Sequence, residues 1–349
     1  MGFFLVSLAL MDLQFAIVGC GNIAPRHAAQ IVRHGKLVAV CDILPERAKA
    51  LAQTYSCRDY TSFDEMLEKE PTVNVVVVAT PNGLHAEHTI KSLQQGRHVL
   101  CEKPMCLCSP AGWSMRDTAH FFRKQLFVVK QNRFNPPVQA VKKWLDEGKL
   151  GKIVAIQING FWNRPASYYQ HSWKGSLDMD GGILFTQFSH FIDLLTWYFG
   201  EIKEVHGLRK NLLLEGLIET EDNVVCAGEM ENGALFTLHF SVSSYEQNME
   251  GSMTILGEKG SVKIGGQYLN TLEYKTGNGL EGEVAGDSRS ANDYGTYVGS
   301  MSNHDLVYEQ VVARLNGQTG LYTGAEDGLR TVAAIEKIYR SCNTSNQVS

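Results

Sequence analysis

Two side chains in this 349-residue sequence have types and surroundings suited to moving a proton, and one short motif is suited to holding a phosphate. Lys103 lies in Glu102-Lys103-Pro104, directly after the apolar run His98–Cys101. A desolvated ammonium there stabilises developing alkoxide charge, and burial lowers a lysine pKa toward a value useful in base catalysis. The plainer reading, a lysine on a solvated stem, suits the end of a strand less well. His190 lies in an apolar stretch with Asp193 three residues on, so the two fall near one helical face. Taken alone, a histidine on an apolar helix is more often a satisfied core residue. The phosphate motif is Gly19-Cys20-Gly21-Asn22-Ile23-Ala24, a G-x-G-x-x-A turn that follows a strand and opens a helix. Its glycines let the backbone approach a pyrophosphate, whose charge meets the unpaired N–H groups at the helix start. Asp42, about twenty residues on at the end of the next strand, accepts hydrogen bonds from ribose hydroxyls and repels a 2′-phosphate. Ile43 and Leu44 follow it with no adjacent Arg, so NAD is favoured over NADP.

These residues need a scaffold, and the first half of the chain supplies one. Apolar runs at Phe15–Val18, Leu37–Cys41, Val75–Ala79, His98–Cys101 and Phe127–Lys130 alternate with helical patterns. This rhythm predicts a doubly wound parallel α/β sheet, a Rossmann domain over residues 13–132. Ala79-Thr80-Pro81-Asn82 ends the central strand, where open sheets bind ligands. His85 opens the following helix and reads equally well as a cofactor contact or a capping residue. From 133 to 349 the pattern changes to an α+β domain. Helices are expected near Pro137–Glu147, from Gly182 through Phe199, and over 303–316 and 325–341. Strands are expected at Ile153–Ile158, 202–209, 223–230, 234–242, 252–256, 261–264 and 268–275, with short turns that favour a large, open, mostly antiparallel sheet. The polar, Gly-rich stretch 276–300 is a candidate lid or subunit contact.

Composition excludes several classes. Charged residues make up 20% of the chain and hydrophobic ones 44%, the balance of a globular protein. A net charge of −5 provides no field for nucleic acid or an anionic membrane. Any anionic ligand must be met by locally placed Arg or Lys. Eight cysteines lie mostly inside apolar runs, without the spacing of a disulfide framework. Cys101, Cys106 and Cys108 lack a histidine at ligand spacing, so no metal is expected. Residues 1–12 read as an extension ahead of the first strand, with Met11 an alternative start and a truncated signal peptide the weaker reading. A cytoplasmic protein is expected.

The G-x-G-x-x-A turn, the ATPN strand end, Glu102-Lys103-Pro104, Arg133-Phe134-Asn135-Pro136 and the Gly181-Gly182…His190…Asp193 pattern together resemble the glucose–fructose oxidoreductase/inositol dehydrogenase (Gfo/Idh/MocA) family. The resemblance runs from residue 13 to the end. It implies an NAD-dependent dehydrogenase with Lys103 and His190 as the catalytic pair. Which of them removes the proton stays open. It also implies a cofactor site comprising Gly19, Gly21, Asn22, Ile23, Asp42, Thr80, Pro81, Asn82, His85, Glu102 and Lys103. Within the family, Ile23–His27 and the stretch Asn163–Gly175 are similar to enzymes that oxidise the C3 hydroxyl of UDP-N-acetylglucosaminuronic acid during surface-polysaccharide synthesis. For such a substrate Arg26, Arg164 and Lys174 are candidates to meet phosphate and carboxylate charge, and Tyr168, Tyr169 and Gln170 to meet hydroxyl and amide groups. Many family members carry Asp four residues before the histidine; here that residue is Thr186, followed by Gln187, so no carboxylate is expected at that place. The two are instead candidate substrate contacts. The resemblance further implies a homodimer or homotetramer, and in some relatives the recycling of bound NADH by 2-oxoglutarate. Dehydrogenation of another hexose or an inositol-like polyol, or a non-catalytic dinucleotide-binding regulator, are the competing readings.

Overall fold

The computed structural model describes residues 12–170, 172–281, 284, 290–293, 298–320 and 322–344. Most of the expected N-terminal extension, through Met11, lies outside them. Six strands form the first sheet: β1 (Gln14–Val18), β2 (Lys36–Cys41), β3 (Arg58–Tyr60), β4 (Val75–Val78), β5 (His98–Cys101) and β6 (Leu126–Val128). Their order is β3-β2-β1-β4-β5-β6 and every pairing is parallel. The order reverses between β1 and β4, the switch point beyond whose carboxyl ends open α/β sheets take their ligands. Val75–Val78 is buried along its whole length, as a strand covered on both faces must be. The connecting helices are α1 (Ala24–His34), α2 (Pro45–Tyr55), α3 (Phe63–Lys69), α4 (His85–Gln94) and α5 (Ser109–Phe121). Strand β3 and helix α3 had no counterpart in the sequence reading. At three and seven residues they are too short for periodicity to register, although Ser62 caps α3 by accepting the Glu65 N–H.

After α6 (Pro136–Asp146) the chain builds the second sheet from β7 (Ile153–Phe161), β8 (Ile202–Lys210), β9 (Asn223–Met230), β10 (Leu235–Ser241), β11 (Glu250–Gly257), β12 (Gly260–Gly265) and β13 (Thr271–Gly277). The order is β13-β12-β11-β7-β10-β9-β8, antiparallel except for the β7–β10 pair. Strand residues alternate: Ile156, Ile158, Phe236 and Leu238 point into the core, while Val154, Val225, Leu235 and Leu256 stay exposed.

The apolar segment expected as one helix from Gly182 to Phe199 is two: α8 (Ile183–Thr186) and α9 (Ser189–Phe199), with the short α7 (Ala166–Tyr169) preceding them. The interruption leaves the Thr186 carbonyl free of the helical ladder, and it accepts a hydrogen bond from Lys103 Nζ at 2.6 Å. Phe188, at the break, stacks on Phe240 with ring centroids 4.6 Å apart. Gly160 lies beneath it, where a Cβ would approach a Phe188 ring carbon to 2.5 Å.

Part of the Gly-rich stretch forms a small ribbon of β14 (Ala291–Asp293) and β15 (Val298–Met301), while 282–283, 285–289 and 294–297 lie outside the described residues. Two helices close the chain, α10 (His304–Leu315) and α11 (Ala325–Thr344). Helix α11 packs on β8, α9 and α5. Helix α10 returns to the first sheet, where Val307, Tyr308 and Val311 join Phe15, Ile17, Val75 and Val77 in one buried cluster. Among the described residues no helix is long and apolar enough to cross a membrane.

Candidate active site

A cavity of about 570 Å³ opens at the carboxyl edge of the first sheet and extends to α8, α9 and the β14–β15 ribbon. At the dinucleotide end Gly19 has φ +93°, and a Cβ there would lie 2.5 Å from the Ala79 carbonyl oxygen, so the turn admits only glycine. A Cβ on Gly21, which lines the cavity, would meet no protein atom within 4 Å. That vacant approach at the start of α1 fits a pyrophosphate. Asp42 is held by two backbone donors, Cys20 N–H to Oδ2 at 2.7 Å and Leu44 N–H to Oδ1 at 2.9 Å, leaving its remaining lone pairs for ribose hydroxyls. Asn22, Ile23, Thr80 and Pro81 line the same end.

Three other residues assigned to the cofactor also bind protein. Asn82 Nδ2 donates to the Asp180 carbonyl at 2.9 Å and to Thr186 Oγ1 at 2.7 Å, tying the loop after β4 to α8 and the turn before it. His85 is buried with both ring nitrogens on carbonyl oxygens, of Pro104 at 2.6 Å and of Thr80 at 2.8 Å, so it braces the Lys103 loop from behind. Glu102 accepts from His27 Nε2 at 2.8 Å and from the Lys103 amide at 3.0 Å, with His304 Nε2 3.5 Å away. Burial raises the Glu102 pKa, but the His27 hydrogen bond and the nearby His304 outweigh it and hold the carboxyl well below the usual range. The 2.8 Å contact is an ordinary direct hydrogen bond, and Tyr308 O–H, 3.0 Å from His27 Nδ1, satisfies the other side of that ring.

At the centre of the cavity stand Lys103 and His190. Burial lowers the Lys103 pKa to about 8 against the opposing charges of Glu102 and Asp180. His190 is 3% exposed, with Nε2 3.3 Å from Gln131 Nε2 and 3.4 Å from Ser300 Oγ. Burial, then the charges of Lys103 and Lys130, hold its pKa well below 6.5, so the imidazole is neutral. Asp193 does not bond the histidine. Arg133 grips it with two 2.8 Å hydrogen bonds, and Lys130 Nζ is 3.0 Å away.

On the far side Arg164, Tyr168, Lys174, Thr186 and Gln187 line the cavity. Lys174 Nζ lies 3.7 Å from the Tyr168 ring centroid, and the Arg164 guanidinium is 5.4 Å from the same ring. Burial, with Arg164 nearby, lowers the Lys174 pKa to about 8. Three expected contacts fall outside the lining. Tyr169 turns inward and packs edge-on against Tyr168, Gln170 is exposed beyond the end of α7, and Arg26 sits three residues into α1, past the end that meets the cavity.

The sequence reading missed Gln131, Ser300 and Asp180. The first two sit in segments without a motif. Asp180 adjoins Gly181-Gly182, which marked the place. Position 186 itself carries no carboxylate, and Asp180 Oδ1 accepts from Thr186 Oγ1 at 2.5 Å.

A dinucleotide turn, a ribose carboxylate, and a lysine–histidine pair at the switch point define an NAD-dependent oxidoreductase. The sequence model of the oxidoreductase family with an NAD-binding Rossmann fold, GFO_IDH_MocA, matches residues 13–128, and that of the GFO/IDH/MocA C-terminal domain matches 138–263. The WlbA dehydrogenase of Bordetella pertussis, crystallised with NADH and UDP-GlcNAcA, is 34% identical, with 96% of this chain and 98% of that chain covered at a TM-score of 0.86. Glucose-6-phosphate 3-dehydrogenase of Bacillus subtilis is 25% identical over 72% of this chain and 73% of its own length. Inositol 2-dehydrogenase of Rhizobium meliloti is 23% identical over 97% and 99%. The chain belongs to the Gfo/Idh/MocA oxidoreductase family, and its cofactor is NAD.

Proposed function

We propose that this NAD-dependent sugar dehydrogenase oxidises the C3 hydroxyl of UDP-N-acetylglucosaminuronic acid to the 3-keto sugar, in the cytoplasm and in the service of surface-polysaccharide synthesis. The observation that carries the reading is the pair of desolvated cations, Arg164 and Lys174, at the substrate end of the cavity in a chain of net charge −5. A cation pair beside Tyr168 suits a carboxylate or phosphate and is unneeded for a neutral polyol. The likeness to WlbA, across nearly the whole of both chains, supports the same substrate class.

Bound NAD supplies the hydride acceptor. Lys103, with a pKa of about 8, is the stronger base of the central pair and accepts the proton in its free-amine form. His190, kept neutral, orients the sugar hydroxyl toward it, and Gln131 and Ser300 hold the imidazole in place. Asp42 selects NAD, and Arg164 and Lys174 hold the acidic end of the substrate.

Purified protein mixed with NAD and UDP-N-acetylglucosaminuronic acid should form NADH, read at 340 nm, or the 3-keto sugar. The assay is run with and without 2-oxoglutarate so that recycled NADH does not hide turnover. Silence on this substrate, beside turnover of glucose 6-phosphate, glucosides or inositol, would replace the UDP-sugar acid with a simpler sugar. NAD binding without turnover of any sugar would leave a regulator.

A further inference from the structure

Asp180 is only 2% exposed and comes from a loop with no regular structure, two residues before the positive-φ Gly182. Its two carboxylate oxygens each face a donor: Thr186 O–H at 2.5 Å on Oδ1 and Gly175 N–H at 2.7 Å on Oδ2. Both groups can stabilise an ionised carboxylate: the Gly175 N–H only donates, and the Thr186 hydroxyl can donate to Oδ1. Burial raises the Asp180 pKa above its ordinary value, and hydrogen bonds from Thr186, Gly175 and Gly182, with the charge of Lys174, limit the rise.

The same residue reaches Lys103 through Thr186. The Thr186 carbonyl accepts Lys103 Nζ, the Thr186 hydroxyl binds Asp180, and the Asp180 carbonyl takes Asn82 Nδ2 from the cofactor side. The charges facing Lys103 are the anions Glu102 and Asp180 and the cations Arg164 and Lys130. Those facing Lys174 are Arg164 and Asp180. Glu102 is already engaged by His27 and His304. Among the described residues, Asp180 is the carboxylate whose charge acts on both site lysines.

We propose that Asp180 is a positioning residue for the reaction, holding the Thr186 turn against Lys103 and supplying the negative charge that Lys103 and Lys174 both face. The proposal rests on the reading of Lys103 as the proton acceptor. Through this charge Asp180 sets how much of Lys103 is neutral at a given pH. Removing it leaves Glu102 alone against the cations Arg164 and Lys130 and so favours the free amine.

Asp180→Asn tests this with little change in shape. The amide oxygen can take the Gly175 N–H, the amide nitrogen can donate to Thr186 Oγ1, and the Thr186 proton can turn to the Asp180 carbonyl, already 3.2 Å away. The readout independent of turnover is trace acetylation with acetic anhydride between pH 6 and 10, quantified by mass spectrometry on the peptide containing Lys103. Wild type should show a midpoint near 8. In Asp180→Asn the midpoint should fall by about one pH unit, making Lys103 roughly fivefold more reactive at pH 7. Thr186→Val, which keeps the carbonyl bond but removes a donor from the carboxylate, should move it the same way by less. It carries the test if Asp180→Asn does not fold.

An unmoved midpoint in the folded variants overturns the proposal. So does a labelling shift without an equal downward move of the acid limb of kcat/KM, because Lys103 would then stand outside the proton step. If wild type oxidises no sugar, the functional reading fails on its own, and an unmoved labelling midpoint still separately denies Asp180 its charge role.

Discussion

Lys103→Met is expected to lower kcat on the UDP-sugar acid by roughly 10²- to 10⁴-fold, the usual span for loss of a general acid–base group. NAD affinity should change little, because the contacts that fit the dinucleotide lie at Gly19, Gly21 and Asp42. Methionine keeps the volume of the stem and removes the amine, together with the 2.6 Å bond to the Thr186 carbonyl. Wild-type turnover should rise with pH through about 8 as Lys103 sheds its proton. NADH formation and a fluorescence titration with NADH read the two effects separately. A variant within tenfold of wild type would remove Lys103 from the chemistry.

Asp193→Ala is expected to be the most destabilising single change near the site, by about 3–5 kcal/mol, the cost of breaking a buried ion pair from one side. Arg133 and Lys130 are both buried, and without Asp193 two cations would face each other with only Asp327 at 2.9 Å from Arg133 to compensate. Burial raises the Asp193 pKa, but the two cations overwhelm it and depress the group far below its ordinary value. A depressed carboxyl contributes stability that is fully present above its unfolded pKa, near 4, declines below it and is lost only as pH falls through the folded pKa. Urea unfolding at pH 7 and pH 3 should therefore separate wild type from Asp193→Ala by about 1 kcal/mol more at the higher pH. Equal separation at both would show that packing, and not charge, is lost.

The nucleotide half of the site was legible in the sequence because its parts are local. Gly19 to Ala24 joins a strand to a helix without interruption, and Asp42 ends the next strand, so one motif carries both position and chemistry. The sugar half is assembled from distant segments. Lys103 meets Thr186 across 83 positions and His190 meets Ser300 across 110. No spacing rule reaches so far. The failure to place Asp193 has a different origin. Residues 189–196 are all buried, and a helix apolar on every side gives no face from which to infer partners. Tyr169 and Tyr168 are alike in type and adjacent in sequence, and only the end of α7 decides which one reaches the cavity. The broken helix was hidden too, because the Thr186 carbonyl leaves the ladder for a lysine that composition cannot reveal.

Helix α10 gives the order of synthesis a part in folding. The cluster built on Phe15, Ile17 and Val75 is closed by Val307, Tyr308 and Val311, more than 170 residues after β6 has been made. At about 5–20 residues per second a ribosome needs roughly ten to forty seconds to deliver them, and during that interval the nascent Rossmann unit carries an unsealed apolar flank. A fragment ending at residue 132 should accordingly aggregate on expression, whereas the same fragment joined by a flexible linker to residues 303–316 should remain in solution. Equal solubility of the two would show that the early unit closes without its late helix. For the whole of that delay the flank lies open to water and to other chains.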